Sequence, residues 1–495
     1  MMNSLRSLIL NAAPPIGEAP LYFGWFALVT LFFTGPLTAQ VPCEDGNAGQ
    51  YPCDGLDLMS VRSWDELGGV GPGNGNDCWG WTFEGREFVL FGRSDGTSVV
   101  EITDPVNPVL LADIPTASVP SLWRDIKVID DVAYIVSEAG EHGMQIIDLS
   151  EVPSMEPMGE LGVLAWYTGF GGAHNVAANP ETDFVYGVGT DTFNGGLHIV
   201  DVSDPSNPTL AGAWEEAYIH DAQVVNYNGP DTEYQGKEIA FVFSGFSGFH
   251  IVDVEDKSDC QTVSSLTGAE WIYPHQGWLT EDHRFVLMND EMDESAGIAE
   301  QTRTWILDVQ DLDNPVILGY HSGTLAVTDH NLYTHEGLVF EANYYAGIQV
   351  LVIQDLANLA MEQVAFFDTN PFSNQTGTGG GAWSVYPYFE SGNIAISTQS
   401  HMFVVRPSGG VFQVQEPSVV SVEAELKVWT EPGRLHVKME GGQSGPLFVF
   451  DAMGRPCAEW RVHPGGTSTW FVDDWPAGSY IAKTRDGLQC RFILK

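Results

Sequence analysis

Positive charge is what this chain most lacks. Its 495 residues hold 20 Lys and Arg against 66 Asp and Glu, a formal charge of −46. Such a field repels phosphate backbones and argues against nucleic-acid partners. The shortage is uneven. Residues 421–495 carry nine basic and nine acidic side chains, so the acidic excess rests on the residues before them. Its plain consequence is a solvated acidic surface that also attracts divalent cations. Cysteine is scarce too, at six residues, so disulfides are not the main scaffold. Cys43 and Cys53 flank a short Gly/Asp-rich loop, and Cys457 and Cys490 share the last segment. In an exported protein each couple is expected to pair, leaving Cys78 and Cys260 as thiols.

Spanning hydrophobic runs are missing. Leu21–Phe33 is apolar and uncharged, but shorter than the about 20 residues a spanning helix needs. Gly35-Pro36 and a small residue at Ala39 follow it, which suits signal-peptide cleavage near Gln40. Residues 1–39 therefore read as a signal-peptide region, with a buried or anchoring helix as the alternative. The mature chain is expected outside the cell or on its outer surface, with no transmembrane span. Familiar catalytic motifs are also lacking. Ser247 in Gly245-Phe-Ser-Gly-Phe249 is one residue out of place for a nucleophile elbow. The Gly-rich stretch 68–75 matches no phosphate-binding loop, and neither C-x-x-C nor H-E-x-x-H occurs.

What is present is a repeated phrase. It reads Val100-Glu-Ile-Thr-Asp-Pro-Val-Asn-Pro108, Gln145-Ile-Ile-Asp-Leu149, His198-Ile-Val-Asp-Val-Ser-Asp-Pro-Ser-Asn-Pro208 and His250-Ile-Val-Asp-Val254. Ile306-Leu-Asp-Val-Gln-Asp311, Val350-Leu-Val-Ile-Gln-Asp355 and a worn Met402-Phe-Val-Val405 complete seven copies. Each is a β-branched strand running into an Asp/Asn/Pro turn, where proline supplies no N–H and restricts its predecessor. Between copies the chain alternates strand and turn with almost no helical period. Residues 174–213, for instance, hold four short strands, the content of one propeller blade. A period near fifty suits a propeller better than a β-helix, whose repeats run to about 20–30 residues. The predicted fold is all-β: a seven-bladed β-propeller over residues 40–408. A linker over 409–422 and a small Ig-like β-sandwich domain over 423–495 follow.

These phrases resemble the LVIVD repeat of bacterial and archaeal surface proteins. Asn76-Asp-Cys-Trp-Gly-Trp81, Gly92-Arg-Ser-Asp-Gly-Thr97, His275-Gln-Gly-Trp-Leu-Thr-Glu-Asp-His283 and Ala382-Trp-Ser-Val-Tyr-Pro-Tyr388 resemble the choice-of-anchor B family, across roughly residues 60–408. That resemblance implies an exported propeller with a variable C-terminal anchor, and no established reaction or ligand. Phe450-Asp-Ala-Met-Gly-Arg455, Pro476-Ala-Gly-Ser-Tyr480 and the basic strand ending at Lys495 are similar to the type A sorting domain of type IX secretion in Bacteroidota. The secretion machinery is then the implied partner of the C-terminal domain, which is expected to be removed after export. An ordinary accessory β-domain is the alternative.

Alignment of the copies exposes a second repeat upstream of each phrase. Trp79, Trp123-Arg124-Asp125, His174-Asn175, His220-Asp221, His275-Gln276, His330-Asn331 and Trp383-Ser384 open the first strands. In a propeller these strands line the central channel. His174, His220, His275 and His330, with Trp79, Trp123, Arg124 and Trp383, are thus expected to outline one channel mouth. Imidazoles there can hold a polar ligand or a transition metal, and indoles can stack on a sugar or an aromatic ring. Loops after the second strands can add Arg93, Asp95, Glu138, His142, Asp191, Asn289, Asp290, Glu291 and Asn343. The run Asn289–Glu294 is expected to be a solvated acidic loop, because it lacks the spaced ligands of a calcium loop. A module binding a small molecule, glycan or partner is the first reading, with no catalytic residue and no cofactor or metal assigned. Two rivals stand beside it: a metal-assisted hydrolase or lyase using the histidines with Asp125 or Asp221, and a structural surface protein whose ring only ties blades together.

Overall fold

The computed structural model describes residues 40–71, 73–409 and 412, together with the stretches 425–431, 433–440, 445–451, 455–462, 467–472, 475–484 and 489–494. The signal-peptide reading of residues 1–39 and nearly all of the linker lie outside them. No helix among the described residues is long and apolar enough to cross a membrane.

The described residues of 40–409 form seven sheets, each built on four antiparallel strands. Two of the sheets carry short extra strands, Gly159–Glu160 in parallel on one and Asn47–Ala48 and Tyr51–Asp54 on the other. The seven first strands are Gly75–Phe83, Arg124–Ile129, Asn175–Ala178, Asp221–Asn226, Pro274–Leu279, Asn331–His335 and Ala382–Tyr386. Each packs on the next in that order, and the last packs on the first. The circle is fastened where the chain's two ends meet, since Leu56–Ser63 pairs with His401–Pro407 as the outer strand of the seventh sheet. Closure of this kind leaves no long open edge. The architecture is a β-propeller.

The recurring phrase supplies the third strand of every sheet, and its composition follows from burial on both faces. In Leu197–Asp201, Leu197 and Ile199 join a core shared with the fourth sheet. Val200, one residue on, joins a core shared with the second. A period-2 strand with both faces covered must be apolar throughout. Every junction between neighbouring sheets has such a core. Truncating Ile199 to Ala, in a fully buried place, would cost about 2–5 kcal/mol. The Asp that ends the phrase turns the chain locally. Asp201 Oδ1 accepts from the Ser203 N–H at 2.9 Å, and Asp148 and Asp308 accept from residues 150 and 310 in the same way.

The described residues between 425 and 494 form a three-stranded and a four-stranded sheet that share an apolar core including Leu435, Val437, Leu447, Val449 and Phe492. Cys43 and Cys53 are bonded as expected, and Cys78 and Cys260 are free. The expected Cys457–Cys490 bond is not formed. Cys457 lies in Pro456–Val462 and Cys490 in Gln489–Leu494, the two outer strands of the four-stranded sheet. Three strand spacings are about 14 Å, twice what a disulfide spans.

Candidate functional site

The first strands open with an irregularity that builds the site. Ladder register slips at Gly75/Cys78, Pro274/Gln276 and Ala382/Ser384, and a bulge re-aims side chains that alternation would otherwise turn away. At the other sheets the residue in question stands just before the ladder. His174 N–H donates to the Val188 carbonyl and His220 N–H to that of Phe243.

The four histidines converge. Ring centroids are 4.1 Å apart for His174 and His220, 4.0 Å for His220 and His275, and 4.4 Å for His275 and His330. Trp383 continues the arc, 5.2 Å from His330 and nearly perpendicular to it. Nδ1 of His220 donates to the His275 carbonyl at 3.1 Å, Nδ1 of His275 to His330 at 3.1 Å, and Nδ1 of His330 to Trp383 at 2.6 Å. A carbonyl only accepts, so the proton of each neutral ring sits on Nδ1 and Nε2 keeps its lone pair. His174 Nδ1 donates instead to Glu138 Oε1 at 2.5 Å. Burial, reinforced by neighbouring imidazoles, holds His220 and His275 well below the usual histidine range, and burial brings His330 to about 3. These three rings are neutral acceptors at physiological pH.

They line a cavity of about 400 Å³ with Trp123, Trp383, Glu138 and Glu291. Glu291 is buried, and Tyr344 Oη donates to its Oε1 at 2.7 Å. Its Oε2 lies 3.6 Å from His275 Nε2. Burial raises the carboxyl above its ordinary value. Tyr218 and Tyr273 also face the cavity and were not expected there. Their signal was an aromatic two residues before His220 and His275. Tyr273 is held by its neighbour Asp290, whose carboxylate accepts the Ile272 and Tyr273 N–H groups at 2.6 and 2.8 Å.

Two of the expected site residues, Trp79 and Arg124, need correction. Trp79 lies at the other end of the channel, in a larger cavity of about 850 Å³ that it shares with Trp278 and Tyr386. The position in register with the histidines is Asn76, followed by Asp77. Three strand residues carry Trp79 about 10 Å further along. Arg124 is in register, but its guanidinium turns into the junction of the first two sheets. There it donates to the Arg93 carbonyl, His142 Nε2 and Thr116 Oγ1. Trp123 does line the cavity, at its rim and 41% exposed. Of the loop residues, only Glu138 and Glu291 reach the cavity. Arg93 is used by the Leu67 carbonyl and Asp113, Asp95 by the Val70 N–H, and Asp191 by the Gly171 N–H.

The run Asn289–Glu294 is not a solvated acidic loop. Asn289, Asp290, Glu291, Asp293 and Glu294 are all buried. Asp293 accepts from Arg303 at 2.8 and 2.6 Å, and burial with Asp293 alongside pushes Glu294 up to about 9.

Below the histidines, the next residue of each first strand knits the channel wall. Asn175 donates to the His220 carbonyl, Asn331 to that of Trp383, and Gln276 exchanges two bonds with Leu332. Asp77, Asp125 and Asp221 share this level with one cation, Lys127, whose Nζ is 2.7 and 2.9 Å from the Asp125 oxygens. Burial and the nearby Asp125 push Asp77 up to about 7, and burial pushes Asp221 up to about 8. Asp125 also accepts two backbone N–H groups, so it has no free lone pair with which to act as a base in the cavity above.

Sheet order and site together define the class: an all-β propeller with a histidine-walled cavity at one end of its channel. The LVIVD repeat family model matches residues 190–215, within the third of these sheets. Among solved structures, the chain is similar to the WD40 β-propeller domain of Doa1, at 8% identity over 73% of this chain and 98% of that one, TM-score 0.47. It is also similar to U3-55K, at 8% identity over 70% and 98%, TM-score 0.44. No curated protein matches the chain.

Proposed function

We propose that the chain is an exported propeller module, displayed on the outer cell surface or released, that binds a ligand or partner in the histidine cavity and performs no chemistry of its own. In this reading the seven sheets are the blades of a seven-bladed propeller over residues 40–408, of the choice-of-anchor B type. Residues 423–495 are an Ig-like sandwich serving type IX secretion as a type A sorting domain. The seven inter-sheet cores closing in a circle support the blade count, and the two sheets around one core support the sandwich. The apolar run before Ala39 and the C-terminal motifs support the export route.

One observation carries the binding reading. The imidazoles use Nδ1 to tie neighbouring blades and leave Nε2 for the cavity. A purely structural ring needs only the first of these. With Glu138 and Glu291 beside them, the histidine wall offers acceptors, and Trp123 and Trp383 add flat faces. The matching ligand carries hydrogen-bond donors or positive charge at one end and a flat apolar part at the other, as a glycan or an aromatic amine does.

A glycan and metabolite screen against mature protein tests it. Trp383→Ala and His174→Ala should each weaken the hits at least about tenfold with melting unchanged, the scale of losing one good contact. Hits indifferent to both variants would place binding elsewhere. The enzymatic reading keeps one observation in its favour: His220, His275 and Glu291 can bring ligand atoms within 4.8 Å of one another.

A further inference from the structure

We infer that His220, His275 and Glu291 form a binding site for a divalent transition ion of the zinc class, with an open coordination position facing the cavity. This rests on the reading of the cavity as a ligand site and names what its wall holds.

The donor set is two imidazole nitrogens and one carboxylate oxygen, the mixed N/O set that zinc-class ions prefer and that calcium and magnesium do not. One ligand atom from each residue lies within 4.8 Å of the other two, and His275 Nε2 stands 3.6 Å from Glu291 Oε2. Ligand atoms about 2.0–2.1 Å from a shared tetrahedral ion stand about 3.3 Å apart. The set is therefore near its bound spacing, and closing it asks for side-chain adjustment only.

The surroundings are arranged as metal ligands require. Both rings have Nδ1–H engaged by a backbone carbonyl, which fixes the tautomer and turns the Nε2 lone pair outward. Tyr344 holds the other oxygen of Glu291 in the same manner. All three ligands are buried, which keeps bulk water from competing for their lone pairs. The Glu291 carboxylate has neither Lys nor Arg in salt-bridge range among the described residues. A buried charge without a counter-charge is expensive, and a divalent ion would supply one. His174 and His330 flank the set, at ring distances of 4.1 and 4.4 Å from His220 and His275. On the remaining side lies the cavity of about 400 Å³. Three protein ligands with solvent space opposite is the pattern of an open site and not of a closed structural one.

The test uses untagged mature protein, stripped with a chelator and titrated with Zn²⁺ by calorimetry, then with Co²⁺ followed by visible absorption. The expected result is one zinc per chain, unaffected by millimolar Ca²⁺, and a Co²⁺ band of a four- or five-coordinate ion. His275→Ala and Glu291→Gln should each weaken zinc by more than about 100-fold, and Tyr344→Phe by about 10–100-fold, the range for an outer partner. His283→Ala, in the other cavity, should leave zinc binding unchanged. Glu291→Gln keeps the side chain's shape, so it carries the test if His275→Ala fails to fold. Folded wild type that takes up no zinc, or zinc uptake that survives the His275→Ala/Glu291→Gln pair, overturns the inference. Glycan or metabolite hits that persist in chelator but fall with Trp383→Ala would reject the metal while leaving the binding module standing. Loss of both signals would reject both.

Discussion

Replacing Lys127 with Met tests the charge balance inside the channel. Among the described residues the ammonium is the one cation placed among Asp77, Asp125 and Asp221, with Nζ 2.7 and 2.9 Å from Asp125 and 4.6 Å from the centre of the Trp79 ring. Burial pulls Lys127 down, and Asp125, Asp77 and Asp221 together more than reverse it, leaving the ammonium above its ordinary value. Methionine keeps most of the stem's volume and removes the charge. Breaking a buried pair by deleting one partner costs about 3–5 kcal/mol, because the other charge stays buried. The loss should depend on pH. Asp77 and Asp221 titrate near 7 and 8 in the fold with Lys127 present, above their unfolded range. An acid raised by folding contributes stability below its unfolded pKa and loses it as pH rises through the folded value. Removing Lys127 raises both further, so the deficit should grow from pH 5 to pH 9. Urea unfolding followed by tryptophan fluorescence at pH 5, 7 and 9 reads it. A deficit below about 1 kcal/mol at pH 9, within the usual range of surface pairs, would refute the reasoning, as would one that does not change with pH.

Asp201→Ala should cost about 1 kcal/mol, the lower end for a lost acceptor because the turn is partly solvated. Its carboxylate is held below the usual range by the Ser203 N–H and hydroxyl, so the deficit should shrink as pH falls toward 3 in thermal melts. Glu294 is pushed from its ordinary 4.5 up to about 9, so Glu294→Gln, which mimics the protonated acid, should match wild type at pH 4 and exceed it in stability by pH 6. It should also remove a loss that wild type shows between pH 6 and 9. Maleimide labelling of unreduced full-length chain should modify Cys457 and Cys490 and spare Cys43 and Cys53, read by peptide mass spectrometry.

The strand plan was legible because burial on both faces leaves a mark that propensity alone would not: Leu197, Ile199 and Val200 are apolar for two different neighbours. The histidines were legible for a similar reason, since a residue repeated in register once per blade has one place in a closed ring. Trp79 misled because indoles stand at two levels of the channel, and the slip at Gly75/Cys78 hides which residue matches His275. Asn76-Asp77 carried the better signal, a polar side chain followed by a second one. The burial of Asn289–Glu294 left no trace in the run itself. Its cause lies in distant partners, Arg303 for Asp293 and the N–H groups of Ile272 and Tyr273 for Asp290. The Cys457–Cys490 pairing failed because nearness at the chain's end says nothing about strand order, and these two strands lie at opposite edges of one sheet.

The central claim is that the histidine ring faces a ligand and does more than fasten blades. Diffraction from crystals of zinc-loaded protein, collected on both sides of the zinc absorption edge, tests it most directly. One anomalous peak within about 2.0–2.2 Å of His220, His275 and Glu291 ligand atoms, with further density on its cavity side, is the predicted result. No peak at the ring in protein that carries zinc elsewhere, with Nε2 atoms packed against protein and no open space before them, would contradict it.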